Sequence, residues 1–234
     1  FIFASTCSVY GASNELLDER SILHPISLYA RTKLEAERVL LGMADTGFSP
    51  TILRFATIYG LSYRPRFDLV VNLLTAKAIQ ERQVGIFGGK QWRPLVHVKD
   101  VAEAIVLCLR APLYNVRGQV FNVGCNEENY QIADLGQILK EMVPAARVIS
   151  EPKEDNRNYR VCFDKIQNML SFQPQYTVRD GIQEIIDAYS CGLILDYHDL
   201  CCNNVAFLRE NVHLRQLLSE QRAKWDWAQL PPAA

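Results

Sequence analysis

Two short apolar runs, Phe1-Ile2-Phe3-Ala4 and Thr51-Ile52-Leu53-Arg54-Phe55, bracket a stretch from about Ser27 to Met43 in which Leu28, Leu34, Val39 and Leu40 recur at helical spacing. Two strands joined through an amphipathic helix force a crossover, and a crossover implies a parallel sheet covered on both faces. The alternation continues along the chain. A helix is expected from about Asp68 to Gln80, a strand near Val84 to Phe87, a Gly88-Gly89 turn, a strand over Leu95-Val96-His97-Val98 and a helix over Val101 to Leu109. Residues 118 to 123 read as a further strand, 131 to 143 and 178 to 190 as helices, and the charged segment from about Asn203 to Asp226 as a surface helix. The polar stretch from Ala12 to Pro25 reads as a loop. The class is α/β.

Composition narrows the partners. The 234 residues are 49% hydrophobic and 22% charged, which is enough apolar material for a sizeable core. A net charge of −1 gives no electrostatic case for nucleic acid or an anionic membrane. Apolar stretches such as Val101 to Leu109 fall far short of the roughly 18 residues a membrane helix needs. Seven scattered cysteines without a C-x-x-C pair read as reduced thiols in a cytoplasm. His198 beside Cys201 and Cys202 lacks the spacing of a tetrahedral zinc site, so no metal is expected. The chain opens at Phe1 in mid-strand without an initiator Met, and reads as cut.

Chemistry enters with Ser27-Leu28-Tyr29-Ala30-Arg31-Thr32-Lys33. Positions i and i+4 share a helix face, so the Lys33 ammonium can stand near the Tyr29 phenol. A phenol titrates near 10 and is a poor base at neutral pH, but a cation about 4 Å away would lower that value and let it exchange a proton with a hydroxyl. Thr6, just past the first apolar run, offers a hydroxyl to orient the same oxygen. The spacing alone also fits a surface tyrosine and a solvated lysine. Its context, a helix opening after Pro25 and Ser27 behind a strand ending in small hydroxyl residues, favours the functional reading.

Taken in order, these residues resemble the extended short-chain dehydrogenase/reductase family, and within it the NAD-dependent nucleotide-sugar epimerases and dehydratases. Phe1 to Gly11 resembles the strand and turn carrying the catalytic Ser or Thr, placed at Thr6 by the Val9-Tyr10-Gly11 alignment. Tyr29 and Lys33 match the Tyr-x-x-x-Lys pair, and Leu53 to Gly60 resembles the strand and turn beside the nicotinamide. Arg66 to Asn72 and Gly89 to Asp100 resemble substrate-side motifs. The resemblance implies Thr6, Tyr29 and Lys33 as catalytic residues, and Tyr29, Lys33, Phe55 and Ala56 as contacts to NAD, with NADP as the other option. Thr57, Asn72, Arg93 and Arg157 are implied as contacts to a nucleotide-diphosphate sugar. The implied activity is an isomerase: Tyr29 removes a proton from a sugar hydroxyl, a transient keto-sugar forms, and its reduction from the other face gives an epimer, at C4. A homodimer is implied as well. His97 and Asp100 are read as structural, with Asp100 capping the following helix.

The implied fold is a Rossmann-like doubly wound parallel sheet with its N-terminal half missing. Residues 1–60 would form the C-terminal half of the cofactor domain, rejoined by about 94–123. Residues 61–93 and 124–190 would make a smaller α/β substrate-binding lobe, and 191–234 a helical C-terminal extension. No Gly-x-x-Gly-x-x-Gly phosphate loop occurs, as Gly85, Gly88 and Gly89 follow the Tyr-Lys pair and open no such helix. Dehydratases and decarboxylases of the family follow the catalytic Thr with acidic residues, whereas Cys7 and Ser8 stand here. That departure favours epimerisation or simple keto-sugar redox over 4,6-dehydration. The alternatives are a nucleotide-sugar reductase or dehydratase, and a non-catalytic scaffold of the same fold.

Overall fold

The computed structural model describes residues 1–45, 47–151 and 158–210. Its first unit is a parallel sheet of three strands in the order β1 (Ile2–Thr6), β3 (Thr51–Phe55), β7 (Val120–Val123). Between β1 and β3 come the single turn Cys7–Tyr10, the two-residue strand β2 (Leu16–Leu17) and helix α1 (Leu28–Gly42). Ser27 starts α1 by accepting the Ala30 N–H at 3.1 Å, the side-chain cap that a helix N-terminus needs.

The face that α1 turns to the sheet differs from the apolar spacing in the sequence. Leu28 and Val39 are 73% and 61% exposed, and the buried stripe is Ala30, Leu34 and Glu37. A carboxylate occupies a core position because Arg54 of β3 meets it there.

After β3 the chain leaves the first sheet at Ala56. Strand β4 (Thr57–Tyr59) then pairs with β6 (Trp92–His97), which in turn pairs antiparallel with β8 (Asn129–Gln131). Gly60 makes the exit from β4 at φ 98°, where a Cβ would stand 2.3 Å from His97 Nε2. Helix α2 (Val70–Gln80) leads to β5 (Gln83–Phe87), which pairs parallel with β9 (Arg147–Glu151). Helix α3 (Val98–Arg110) follows β6, and α4 (Leu113–Val116) precedes β7. Helix α5 (Ile132–Met142) links β8 to β9, β10 (Arg160–Val161) pairs with β2, and α6 (Asp164–Leu170), α7 (Val178–Ser190) and α8 (Asn204–Glu210) follow.

Helix α3 begins three residues before the expected start, because His97 rather than Asp100 caps it: His97 Nδ1 accepts from Lys99 N at 3.2 Å. Asp100 instead receives the N–H groups of Gln175 (2.8 Å) and Tyr176 (3.2 Å), fastening the approach to α7. The expected helix over 203 to 226 is α8 as far as Glu210, and its remainder lies outside the described residues.

Three apolar cores result. One joins Val9, Leu34, Leu53, Val96 and Phe121 around the first sheet; a second joins Tyr59, Val71, Ile86, Leu95, Leu135 and Ile182; a third joins Phe67, Ala76, Ile185 and Tyr197. The fold is a Rossmann-like parallel α/β structure, with ligand chemistry expected at the C-terminal ends of its strands.

Candidate active site

Thr6 ends β1, and Tyr29 stands in the first turn of α1 above it. The Thr6 side chain lies close enough to the Tyr29 phenol to act on its acidity. Thr6 Oγ1 also accepts the Ser8 N–H at 3.1 Å and donates to Ser8 Oγ at 3.1 Å, which fixes its hydroxyl. Lys33 lies one turn on from Tyr29. Its Nζ donates to the Ala4 carbonyl at 2.9 Å, lies 4.8 Å from the centre of the Phe3 ring and 5.9 Å from that of Tyr29. The three residues expected to act together are therefore together.

The electrostatics differ from the expectation. Burial raises the Tyr29 phenol above its ordinary value, while the Arg66 charge and the Thr6 side chain pull it down. The Lys33 ammonium is held by a backbone carbonyl of β1 instead of the phenol. The cation felt by Tyr29 is Arg66, which binds Asp68 with both branches of its fork, Nε–Oδ1 at 3.0 Å and Nη2–Oδ2 at 2.9 Å.

A cavity of about 540 Å³ opens beside Tyr29. Ser8, Gly11, Ser27 and Thr57 line it together with Tyr29, and so does Asp68, the partner of Arg66. Lys77 and Glu81 on α2, Gln83, Gly85 and Phe87 on β5, and Gln91, Arg93 and Tyr159 complete the wall. Thr57 and Arg93 thus line the same cavity as Tyr29. Arg93 is 6% exposed, donates to the Trp92 carbonyl at 2.8 Å and stacks 5.9 Å from the Tyr159 ring centre.

Asn72 is elsewhere. Its amide accepts the Gly60 N–H at 3.0 Å and donates to the carbonyls of Gly60 (3.2 Å) and Arg66 (3.1 Å), so it shapes the loop that presents Arg66. Phe55 and Ala56 are buried at the end of β3, and Arg157 lies outside the described residues. Sequence reasoning missed Arg66, Asp68, Gln91 and Tyr159. Arg66, Asp68 and Gln91 sat in motifs already singled out, but nothing local in the sequence marks the reach of Arg66 to Tyr29.

The donors suit the nicotinamide-ribose end of a dinucleotide. Tyr29 and Lys33 share one face of α1 at the C-terminal end of β1, and the small Ala56 stands at the end of the neighbouring strand. Among the described residues, no group of three His, Cys, Asp or Glu side chains could hold a metal ion.

Comparison with known proteins decides the family. Residues 1–124 match the model of the NAD dependent epimerase/dehydratase family. The chain belongs to that family. It is 28% identical over 202 residues to an uncharacterised UDP-glucose epimerase of Bacillus subtilis (strain 168), covering 82% of this chain and 61% of that protein. It is also 28% identical over 196 residues to a dTDP-glucose 4,6-dehydratase of an Actinoplanes species, covering 81% and 59%. The structure of UDP-glucuronic acid 4-epimerase from Bacillus cereus, in complex with UDP-glucuronic acid and NAD, superposes with a TM-score of 0.72 at 26% identity, covering 83% of this chain and 62% of that one. The chain thus spans about 60% of the length of these relatives.

Proposed function

We propose that this chain carries the proton-transfer and sugar-nucleotide-binding residues of an NAD-dependent epimerase that acts at C4 of a nucleotide-diphosphate hexose. The observation that carries the reading is Tyr29 on the wall of the 540 Å³ cavity, with the Thr6 side chain close enough to act on its phenol and Lys33 on the same helix face. Bound NAD would supply the acceptor and donor of hydride, and Tyr29, Lys33, Phe55 and Ala56 would hold it. Tyr29 takes the proton from the sugar hydroxyl and returns it to the epimer. Thr6, its own hydroxyl fixed by Ser8, aligns the reacting oxygen. Arg66 stabilises the phenolate that this proton transfer requires. Arg93 and Thr57 bind the diphosphate and sugar, and the buried Arg93 fork suits phosphate oxygens.

Dehydration is less well served. Cys7 is fully buried with its Sγ on the Arg54 carbonyl at 3.1 Å, Ser8 offers only a hydroxyl, and Asp68 is tied to Arg66. Cys7, Cys108, Cys125, Cys162, Cys191 and Cys202 are free thiols, and no helix among the described residues is long and apolar enough to cross a membrane. Both fit a cytoplasmic enzyme. The division into a cofactor half over 1–60 and 94–123 and a substrate lobe over 61–93 and 124–190 belongs to the same proposal. A homodimer does too, carried by the family resemblance alone.

The test is product analysis with the complete gene product that carries this chain, NAD+ and UDP-hexoses. Conversion of a UDP-hexose to its C4 epimer is expected, and Tyr29→Phe should cut kcat by about 10²- to 10⁴-fold. A 4-keto-6-deoxy product would replace the epimerase reading with the dehydratase, and unchanged turnover in Tyr29→Phe would remove Tyr29 as the base.

A further inference from the structure

Tyr29, Lys33 and Glu37 succeed one another at i, i+4 and i+8 on α1, and the third has no part in the chemistry proposed above. Glu37 is 1% exposed, and Arg54 opposite it is 4% exposed. Arg54 Nε lies 3.1 Å from each Glu37 oxygen, and Nη2 donates to Oε2 at 2.7 Å. Ser5 Oγ donates to Glu37 Oε1. Arg54 Nη1 donates to the Tyr10 hydroxyl at 3.1 Å, which donates to Asn122 Oδ1 at 2.8 Å.

Four members of this network lie next to site residues. Ser5 precedes Thr6, Arg54 precedes Phe55 and Ala56, Glu37 follows Lys33 by one turn, and Tyr10 closes the turn that begins after Thr6. Holding a helix on a sheet does not require buried charge, since apolar residues of similar volume do so equally well or better. Apolar contacts, however, tolerate sliding, whereas a forked guanidinium–carboxylate pair fixes both distance and angle.

We propose that Glu37 and Arg54 are positioning residues, whose buried ion pair sets the register of α1 on the sheet of β1 and β3 and thereby places the Tyr29 hydroxyl beside Thr6. The placement is a matter of geometry. Its consequence for turnover rests on the function proposed above.

The experiment uses the complete gene product. The double variant Glu37→Met/Arg54→Met keeps the space filled without leaving a charge unpaired. It is expected to remain folded with kcat lowered about 100-fold, as about 1 Å of misplacement can produce, and with the KM for a UDP-hexose within twofold of the parent. A second readout needs no turnover: with ¹³Cζ-labelled tyrosine, the resonance lost in Tyr29→Phe identifies Tyr29. In the double variant this resonance should move to its position in Thr6→Ala.

Should the double variant fail to fold, Arg54→Lys, which keeps the charge and loses the fork, and Ser5→Ala, which removes one anchor, carry the same two measurements. Their resonance should move part of the way, with partial loss of kcat. A Tyr29 resonance that stays at its parent position in the folded variants, with kcat retained, would make the pair a mere core filling. If the parent turns over no nucleotide sugar, the functional reading fails, while the resonance still decides the positioning.

Discussion

At Tyr29, a residue 55% exposed, partial burial raises the phenol and Arg66 and Thr6 lower it, so the pH at which the phenolate appears is set by a balance between partial desolvation and a cation from a neighbouring loop. Removing that cation leaves burial less opposed. Arg66→Gln should therefore shift the alkaline titration of Tyr29, followed by phenolate absorbance against a Tyr29→Phe control, to higher pH. A shift to lower pH, or none, would show that the Arg66 charge does not stabilise the phenolate. The i, i+4 spacing made Tyr29 and Lys33 legible in the sequence, since helix geometry alone puts them on one face. Arg66 was not legible as a partner, because its approach depends on a loop shaped by Asn72, whose amide binds Gly60 and Arg66. Asn72 looked like a ligand contact for the same reason: a motif match fixes position in the chain and leaves the direction of the side chain open.

Elements were legible where period and length agreed, as for α1, β3, α2, α5 and α7, and were missed where the stabilising partner is remote. Strand β9 gains its identity from parallel pairing with β5, and β2 and β10 are two-residue strands that exist only as a pair. The face of α1 was misjudged because hydrophobic periodicity does not anticipate a buried ion pair. Side chains also finish elements. The outer edge of β7 is closed by Glu19, which accepts from Asn122 N at 2.8 Å, and by Lys165, which donates to the Val120 carbonyl at 2.7 Å. Glu128 stitches three elements, accepting from the Tyr59 hydroxyl and Val178 N at 3.1 Å each and from the Tyr130 hydroxyl at 3.4 Å. Burial pushes its carboxyl up to about 7 from 4.5 despite these donors. A carboxyl raised in the folded state stays protonated there while the unfolded chain ionises. Its contribution is complete below about pH 4.5 and is lost as pH rises to about 7, on the order of 3 kcal/mol. Denaturant unfolding of the parent should show this decline over that window, and Glu128→Gln should abolish it. An equal slope in the variant would assign the decline to other groups.

For the molecule as a whole, the cavity matters because its wall draws on more than one sheet. Ser8, Gly11 and Tyr29 come from the turn after β1 and from α1, whereas Gln83, Gly85 and Phe87 come from β5, and Arg93 lies on β6, the strand that follows β5. A ligand that fills it must hold the region of β1 and α1 and the region of α2 and β5 together, so binding is coupled to global stability. Such a ligand should raise the unfolding free energy by RT ln(1 + [L]/Kd), about 2.7 kcal/mol at one hundred times Kd. A UDP-hexose should accordingly raise the melting temperature of the chain in a concentration-dependent way without added NAD. The free hexose should not, because Lys77 and Arg93, the cations of the wall, suit the diphosphate. Arg93→Met should diminish the rise measured against its own ligand-free midpoint, which separates lost binding from lost packing over Tyr159. An undiminished rise in Arg93→Met would take the diphosphate away from Arg93, and an equal rise with free hexose would take it out of the cavity altogether.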